Sequence, residues 1–187
     1  MHIIYALLDY DTFVKKNISL TSFLSICKKH NAQIIQYRDK NSSVKDIKER
    51  IKILRDLWDG TLIINDKIEL IEFADGLHLG QEDIRKFHKD IKKASVLVRE
   101  EIKDKILGLS THNKEEILEA NELDLDYIGL GAYRKTSTKN TNNILGKEIE
   151  KLASLSKHPV AAIGGVKITD RIKNVKYLVV GSNLYDD

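Results

Sequence analysis

The 187-residue chain has a single cysteine, so no intrachain disulfide can form, and a reduced, cytoplasmic setting is the expectation. Cys27 lies in Phe23-Leu24-Ser25-Ile26-Cys27, the pattern of a buried helix face, where a thiol serves as a small core hydrophobe rather than a nucleophile. No apolar run approaches the ~20 residues of a membrane span. The start, Met1-His2-Ile3-Ile4-Tyr5, has no signal-peptide pattern and reads straight into a strand. Charge of one sign is missing too: 31 basic against 28 acidic residues leave a net charge of +3. The two signs alternate, as in Lys45-Asp46-Ile47-Lys48-Glu49-Arg50, which is the texture of solvated helix faces. Neither a nucleic acid nor a membrane is therefore expected as a partner. Internal repeats, low-complexity blocks and composition breaks are also lacking, which leaves one domain over residues 1–187. Hydrophobic residues at 42% are enough to build a core and too many for disorder.

What the chain does have is alternation. Short β-like runs are expected over residues 3–8, 33–38, 61–65, 76–79, 106–110, 127–129, 160–163 and 177–180. Helical patterns lie between them, as in Val44, Ile47, Ile51, Leu54, Leu57 and Trp58, or Ile117 and Leu118 behind Glu115-Glu116. Strands alternating with helices predict a parallel sheet, and eight such units predict an α/β fold of the closed (β/α)8 TIM-barrel type. The chain is short for that fold, which usually takes ~250 residues. Only residues 167–176 separate Gly164-Gly165 from the last run, and five residues follow Ser182. The last crossover helix is therefore expected to be shortened and the final helix missing. One mouth or flank would then stand open for a partner subunit, and a homodimer is expected.

In a barrel, reactive residues sit on the loops after the strands. Two apolar runs end in carboxylates: Leu62-Ile63-Ile64-Asn65-Asp66, and Gly76-Leu77-His78-Leu79 followed by Gly80-Gln81-Glu82-Asp83. On neighbouring parallel strands, Asp66 and Asp83 would meet at one rim. Mg²⁺ suits such a pair, because it takes one or two carboxylates and leaves its other positions to water and phosphate. Each segment alone would serve equally as a turn or helix cap. Gln36, Arg38 and Lys40 alternate onto one side, offering a guanidinium fork and a point charge for phosphate. A salt bridge from this group to Asp66 is the competing reading. Ser110, ahead of a helix start, fits either an anion site or a plain N-cap. His78 sits at an alternating position before Asp83 and is weak evidence by itself. The polar loop around Thr136-Ser137-Thr138-Lys139 reads as a lid or as a solvated surface loop. Gly164-Gly165 and Gly181-Ser182 would let backbone approach a second phosphate. Two anion sites imply two phosphorylated small-molecule substrates.

Taken in order, these motifs resemble the thiamine-phosphate synthase/TenI superfamily. The match rests on Gln36-Tyr37-Arg38-Asp39-Lys40, Asn65-Asp66, residues 74–83, Gly108-Leu109-Ser110-Thr111-His112, residues 126–131, Thr136-Ser137-Thr138-Lys139 and Ala162-Ile163-Gly164-Gly165-Val166. The resemblance implies an enzyme that joins 4-amino-2-methyl-5-(diphosphooxymethyl)pyrimidine to thiazole ethyl phosphate and releases pyrophosphate. It implies that Gln36, Arg38, Lys40, Asn65, Ser110 and Lys139 hold the pyrophosphate, with Tyr37 and Asp39 in the same binding segment. Arg38, Lys40, Ser110 and Lys139 would carry the catalysis, and Asp66 and Asp83 would bind Mg²⁺. Thr136, Thr138, Gly165, Gly181 and Ser182 would hold the thiazole phosphate, Ser137 and Gly164 would be substrate-binding beside them, and His78 would line the pyrimidine pocket. Ala132 and Lys135 stand where the family usually carries proline. Sister TenI-type proteins instead tautomerise a thiazole carboxylate phosphate with a histidine after the fifth strand, where this chain has His112. A phosphometabolite-binding barrel without catalysis is the remaining alternative.

Overall fold

Strand register divides the apolar residues of this chain into two separate cores. In the computed structural model, which describes residues 1–135 and 143–185, eight parallel strands close in sequence order. They are β1 (Ile3–Asp9), β2 (Ile34–Arg38), β3 (Thr61–Asn65), β4 (Gly76–Leu79), β5 (Ile106–Thr111), β6 (Tyr127–Leu130), β7 (Val160–Ala162) and β8 (Tyr177–Val180). The expected runs match these bounds to within a residue at either end. Successive side chains on a strand face opposite ways. Ile35, Leu62, Ile64, Leu77, Leu79, Leu107, Leu109 and Ile128 therefore point out and pack under the helices. Tyr5, Leu7, Ile63, Tyr127, Ala161 and Val179 point in and fill the barrel.

The helices that cover the outer core are α1 (Tyr10–Lys15), α2 (Leu20–Lys29), α3 (Val44–Leu57), α4 (Gln81–Ile84), α5 (Ile91–Ile102), α6 (Lys114–Ala120) and α7 (Glu148–Ala153). Their starts follow the residue chemistry. Ser43 caps α3 by accepting from the Asp46 N–H at 3.2 Å, Asp90 caps α5, and Asn113 caps α6. On α3, Ile47, Ile51 and Leu54 are buried, whereas Val44 and Leu57, counted with them in the apolar pattern, are exposed, as is Leu118 on α6. Cys27 is fully buried on α2, and that burial pushes its thiol pKa up to about 12. It is thus inert core, as its setting predicted. No helix among the described residues is long and apolar enough to cross a membrane.

Two expectations about the end of the chain need correction. The crossover from β7 to β8 holds no helix at all, only turns, with Val166, Ile172 and Val175 buried as a plug. The flank beside β8 is not bare either. The outward residues Leu178 and Val180 are 0% exposed, and a 3-10 turn, Ser182–Tyr185, buries Leu184 against the same core. Apolar strand residues left in water would cost too much, and the turn that joins this core also meets α2.

Inside the barrel, three tyrosines meet edge to face. The Tyr5–Tyr127, Tyr5–Tyr177 and Tyr127–Tyr177 ring centroids lie 6.0, 6.4 and 6.0 Å apart. Gly108, paired with Tyr127 on the neighbouring strand, makes room: a Cβ there would fall 2.2 Å from the Tyr127 ring.

Candidate active site

The inward register that fills the barrel with tyrosine and isoleucine delivers polar residues one step higher, at the carboxyl ends of the strands. They line a cavity of about 470 Å³. Its walls carry Gln36 and Arg38 from β2, Lys40 just beyond, Asn65 and Asp66 from the end of β3, His78 from β4, Asp83 from α4, and Ser110 from β5. Gly164, Gly165, Gly181 and Ser182 line the same cavity from the loops after β7 and β8. The size suits a pair of small substrates.

Asp66 and Asp83 do meet. Asp66 stands just past β3 with φ of +63°, in the left-handed region that Asp tolerates better than most residues. The Gly80 N–H donates to its carboxylate, and Asn65 Nδ2 donates to Oδ2 at 2.6 Å. Burial first, and then the negative charge of Asp83, push the Asp66 pKa up. Asp83 is itself drawn to a burial-raised value, but the Lys86 ammonium, 2.6 Å from Oδ1, outweighs that and holds its pKa down. Asp66 is the more buried of the two, and Lys86 is an exposed side chain. Lys40 Nζ lies 3.7 Å from Asp66 Oδ2, so the salt bridge weighed against phosphate binding is present, on a lysine side chain 52% exposed. Two close carboxylates, the charge of Asp83 disfavouring that of Asp66, bordered by exposed ammonium groups, fit a divalent cation that takes two protein oxygens. No cluster of three or more His, Cys, Asp or Glu suited to a metal occurs among the described residues. A Mg²⁺ of the two-carboxylate kind needs no such cluster.

Beneath the cavity a chain of hydrogen bonds crosses the barrel. Gln36 Nε2 donates to the Tyr5 hydroxyl at 2.7 Å, and that hydroxyl shares a 2.9 Å bond with the Tyr127 hydroxyl. Tyr127 reaches His78 Nδ1 at 2.9 Å, and His78 Nε2 reaches Ser110 Oγ at 2.9 Å. Burial drives both phenol pKa values well above normal, so both stay neutral and hold their protons for hydrogen bonding. Neutral buried polar groups joined in series fix one another's orientation. Gln36, His78 and Ser110 are therefore presented to the cavity in set positions. Gln81 adds a 2.7 Å bond from Nε2 to the Ser110 carbonyl.

Some expected members lie elsewhere. Tyr37 faces outward by strand parity and is buried in the outer core, its hydroxyl donating to Asp39 at 3.1 Å. Asp39 in turn is tied to Arg50 at 3.0 Å and accepts from the Asn41 and Ser42 N–H groups. Both residues brace the loop after β2 from behind and do not line the cavity, which corrects their assignment as binding residues. Thr136, Ser137, Thr138 and Lys139 lie outside the described residues. The root of their segment is well tied: Arg134 makes a two-point contact with Asp170 at 2.7 and 2.9 Å, and its backbone N–H donates to the Gly164 carbonyl at 2.8 Å. Gly164 and Gly165, with φ of +89° and +62°, lie against Ala132 and Arg134 so closely that a Cβ on either would fall within 3 Å of that segment. His112 lines the cavity, with Nδ1 bonded to Glu116 Oε2 at 2.9 Å. Gln81 and Glu116 also line it and were not singled out. Gln81 was legible in the run that ends at Asp83, whereas Glu116 read only as a first-turn helix carboxylate.

Known proteins bear on this geometry. The sequence profile described as thiamine monophosphate synthase matches residues 5–180. The chain is 38% identical over 151 residues to the thiamine-phosphate synthase of Persephonella marina, covering 76% of this chain and 68% of that protein. It is 37% identical over 156 residues to the enzyme of the same name from Fusobacterium nucleatum, covering 79% and 71%. A solved structure, thiamine phosphate pyrophosphorylase from Pyrococcus furiosus, superposes with a TM-score of 0.74 at 25% identity, over 96% of this chain and 85% of that one. Tryptophan synthase from the same organism shares only the fold, at 14% identity and a TM-score of 0.62. A match from the first strand to the last, on a barrel whose carboxyl-end rim gathers these cationic, acidic and amide side chains, places the protein: the chain belongs to the thiamine monophosphate synthase family.

Proposed function

We propose that this protein is a transferase that condenses 4-amino-2-methyl-5-(diphosphooxymethyl)pyrimidine with thiazole ethyl phosphate, giving thiamin phosphate and pyrophosphate. The observation that carries the reading is the meeting of Asp66 and Asp83 on the wall that also presents Gln36, Arg38, Lys40, Asn65 and Ser110. Those residues form the pyrophosphate side of the cavity. The mainly backbone surface of Gly164, Gly165, Gly181 and Ser182, opposite in composition, takes the thiazole phosphate together with Thr136 and Thr138.

Bond cleavage puts negative charge on the departing pyrophosphate and leaves a resonance-stabilised pyrimidine-methyl cation. Arg38 and Lys40 line the cavity where they stabilise the charge as it develops, and Lys139 would add a third cation. Asp66 and Asp83 would hold Mg²⁺, which supplies charge neutralisation on the leaving phosphates. Gln36 and His78, fixed through the tyrosine chain, orient the pyrimidine, and Ser110 holds the pyrophosphate. The thiazole nitrogen then attacks the exocyclic carbon. No side chain need act as a strong base or form a covalent bond. Holding two molecules in line supplies much of the remaining acceleration.

A coupled assay tests this. Pyrophosphate release is expected only with both substrates and Mg²⁺, and EDTA is expected to abolish it. Activity that persists in EDTA and fails in His112→Ala would mark a tautomerase instead. Thermal stabilisation by the phosphorylated ligands without product would mark a binding barrel.

The carboxylate pair also sets a pH dependence. The folded-state pKa of Asp66 lies above 3.8. Its contribution to stability is therefore full below that value and is lost as pH rises through the folded pKa. Mg²⁺ competes with that proton. The rise in Tm that Mg²⁺ produces is expected to be largest at neutral pH and to fade on acidification. In Asp83→Asn, which removes the repulsion, whatever Mg²⁺ effect survives should persist to lower pH. A Mg²⁺ shift independent of pH from 7 down to 4 contradicts the assignment.

A further inference from the structure

We infer that Asp9 is a positioning residue that holds the Arg38 guanidinium in its phosphate-binding orientation. The inference rests on the reading of Arg38 as a pyrophosphate ligand. Asp9 ends β1, directly opposite Arg38 in the β1–β2 register. It is 5% exposed, and both its oxygens are engaged. Oδ1 accepts from the Thr12 N–H at 3.1 Å and from Thr12 Oγ1 at 2.7 Å, which makes Asp9 the N-cap of α1. Oδ2 accepts from Arg38 Nη1. The carboxylate is thus fixed by a helix start before it meets the guanidinium. Arg38 lines the cavity and Asp9 does not, so Asp9 acts through Arg38 rather than on a ligand.

A guanidinium carries five N–H donors in a rigid fork, so one bond to Asp9 leaves the others for an anion. A long side chain held in place beforehand loses less rotamer freedom when the anion arrives. Charge works the other way, because a carboxylate beside the cavity repels a pyrophosphate. Burial and saturation by three donors reduce that repulsion, and orientation is expected to win.

Asp9→Ser separates the two duties of the residue. Serine caps a helix about as well as aspartate but cannot reach Arg38 with a carboxylate. Binding of inorganic pyrophosphate with Mg²⁺, followed by calorimetry on the full chain, should weaken about 10-fold, the scale seen when an outer partner that orients a binding side chain is removed. KM for the pyrimidine substrate should rise, with Tm nearly unchanged. The double variant Asp9→Ser/Arg38→Ala should bind no worse than Arg38→Ala alone. Asp9→Asn, isosteric and able to cap through its amide oxygen, is the second probe should serine fail to fold. Unchanged or tighter pyrophosphate binding in the Asp9 variants overturns the inference, as do losses that multiply in the double variant. Wild-type pyrophosphate binding by Arg38→Ala would overturn the reading of Arg38 itself, and the role of Asp9 with it.

Discussion

Asp83→Ala is expected to lower kcat by about 10²–10³-fold, the scale of losing one preorganised group that stabilises transition-state charge, while the barrel stays folded. The side chain sits on the four-residue helix α4, its backbone N–H bonded to the Gly80 carbonyl at 3.1 Å, and that bond survives truncation. What is lost is one of two carboxylates facing the cavity and an ion pair with an exposed lysine, and exposed pairs contribute little to stability. What is relieved is the repulsion that raises the Asp66 pKa. Activity and stability therefore separate, which is the signature of a functional acid. Asp66 calls for a different substitution. Its φ of +63° would cost alanine roughly 1–2 kcal/mol, whereas asparagine tolerates the left-handed region. Asp66→Asn removes the charge and keeps the turn, and it should match Asp83→Ala in kcat. Steady-state rates at several Mg²⁺ concentrations, with melting curves alongside, check both variants. Full turnover in either removes the metal assignment.

The sequence made the eight strands and the rim legible because both obey local rules. A fully buried parallel strand is a short apolar run, and a chemistry-bearing residue in a barrel follows such a run. Asp66 and Asp83 were found that way, from two runs on neighbouring strands. The failures come from parity and distance. Tyr37 and Asp39 adjoin Arg38 in the chain and were grouped with it, yet a period of two sends alternate residues to opposite faces. Asp9 went unnoticed because its meaning lies in a partner 29 positions away, across a strand pairing that only the closed sheet defines. Tyr5 and Tyr127 sit 122 positions apart on separate strands. Their hydroxyls become a buried chain only when strands β1 and β6 face each other through the barrel. The closed flank beside β8 was misjudged for the same reason: counting residues after Ser182 cannot show that Leu178 and Val180 are buried in one core with Leu184 of a four-residue 3-10 turn.

Gly108→Ala is expected to destabilise the protein by about 3 kcal/mol, at the upper end for overpacking a core. Gly108 belongs to the motif Gly108-Leu109-Ser110-Thr111-His112, but its place in the fold is a packing one. Its Cβ would lie 2.2 Å from Cζ of Tyr127 and 2.5 Å from both Cε1 and the hydroxyl oxygen. Replacing a strand glycine normally gains about 0.4–1 kcal/mol by restricting the unfolded chain, so the steric term must exceed that gain, and here it does. The ring cannot swing aside cheaply. Its hydroxyl is held by Tyr5 and His78, and its faces and edges pack on Tyr5, Tyr177 and the His78 imidazole, whose centroid lies 5.5 Å away. For a chain of this length, 3 kcal/mol corresponds to a Tm lower by roughly 6–12 °C. The damage should also reach the cavity. Any shift of Tyr127 pulls on His78 Nδ1, and His78 holds Ser110 through Nε2. kcat/KM should therefore fall even at temperatures where the variant is fully folded. Trimming the obstacle in Gly108→Ala/Tyr127→Leu should recover part of the lost Tm but none of the activity, since leucine carries no hydroxyl for His78. A Gly108→Ala protein that melts with the wild type would mean the barrel interior yields more easily than these contacts allow, and the hydrogen-bond chain would then be too soft to position Gln36, His78 and Ser110.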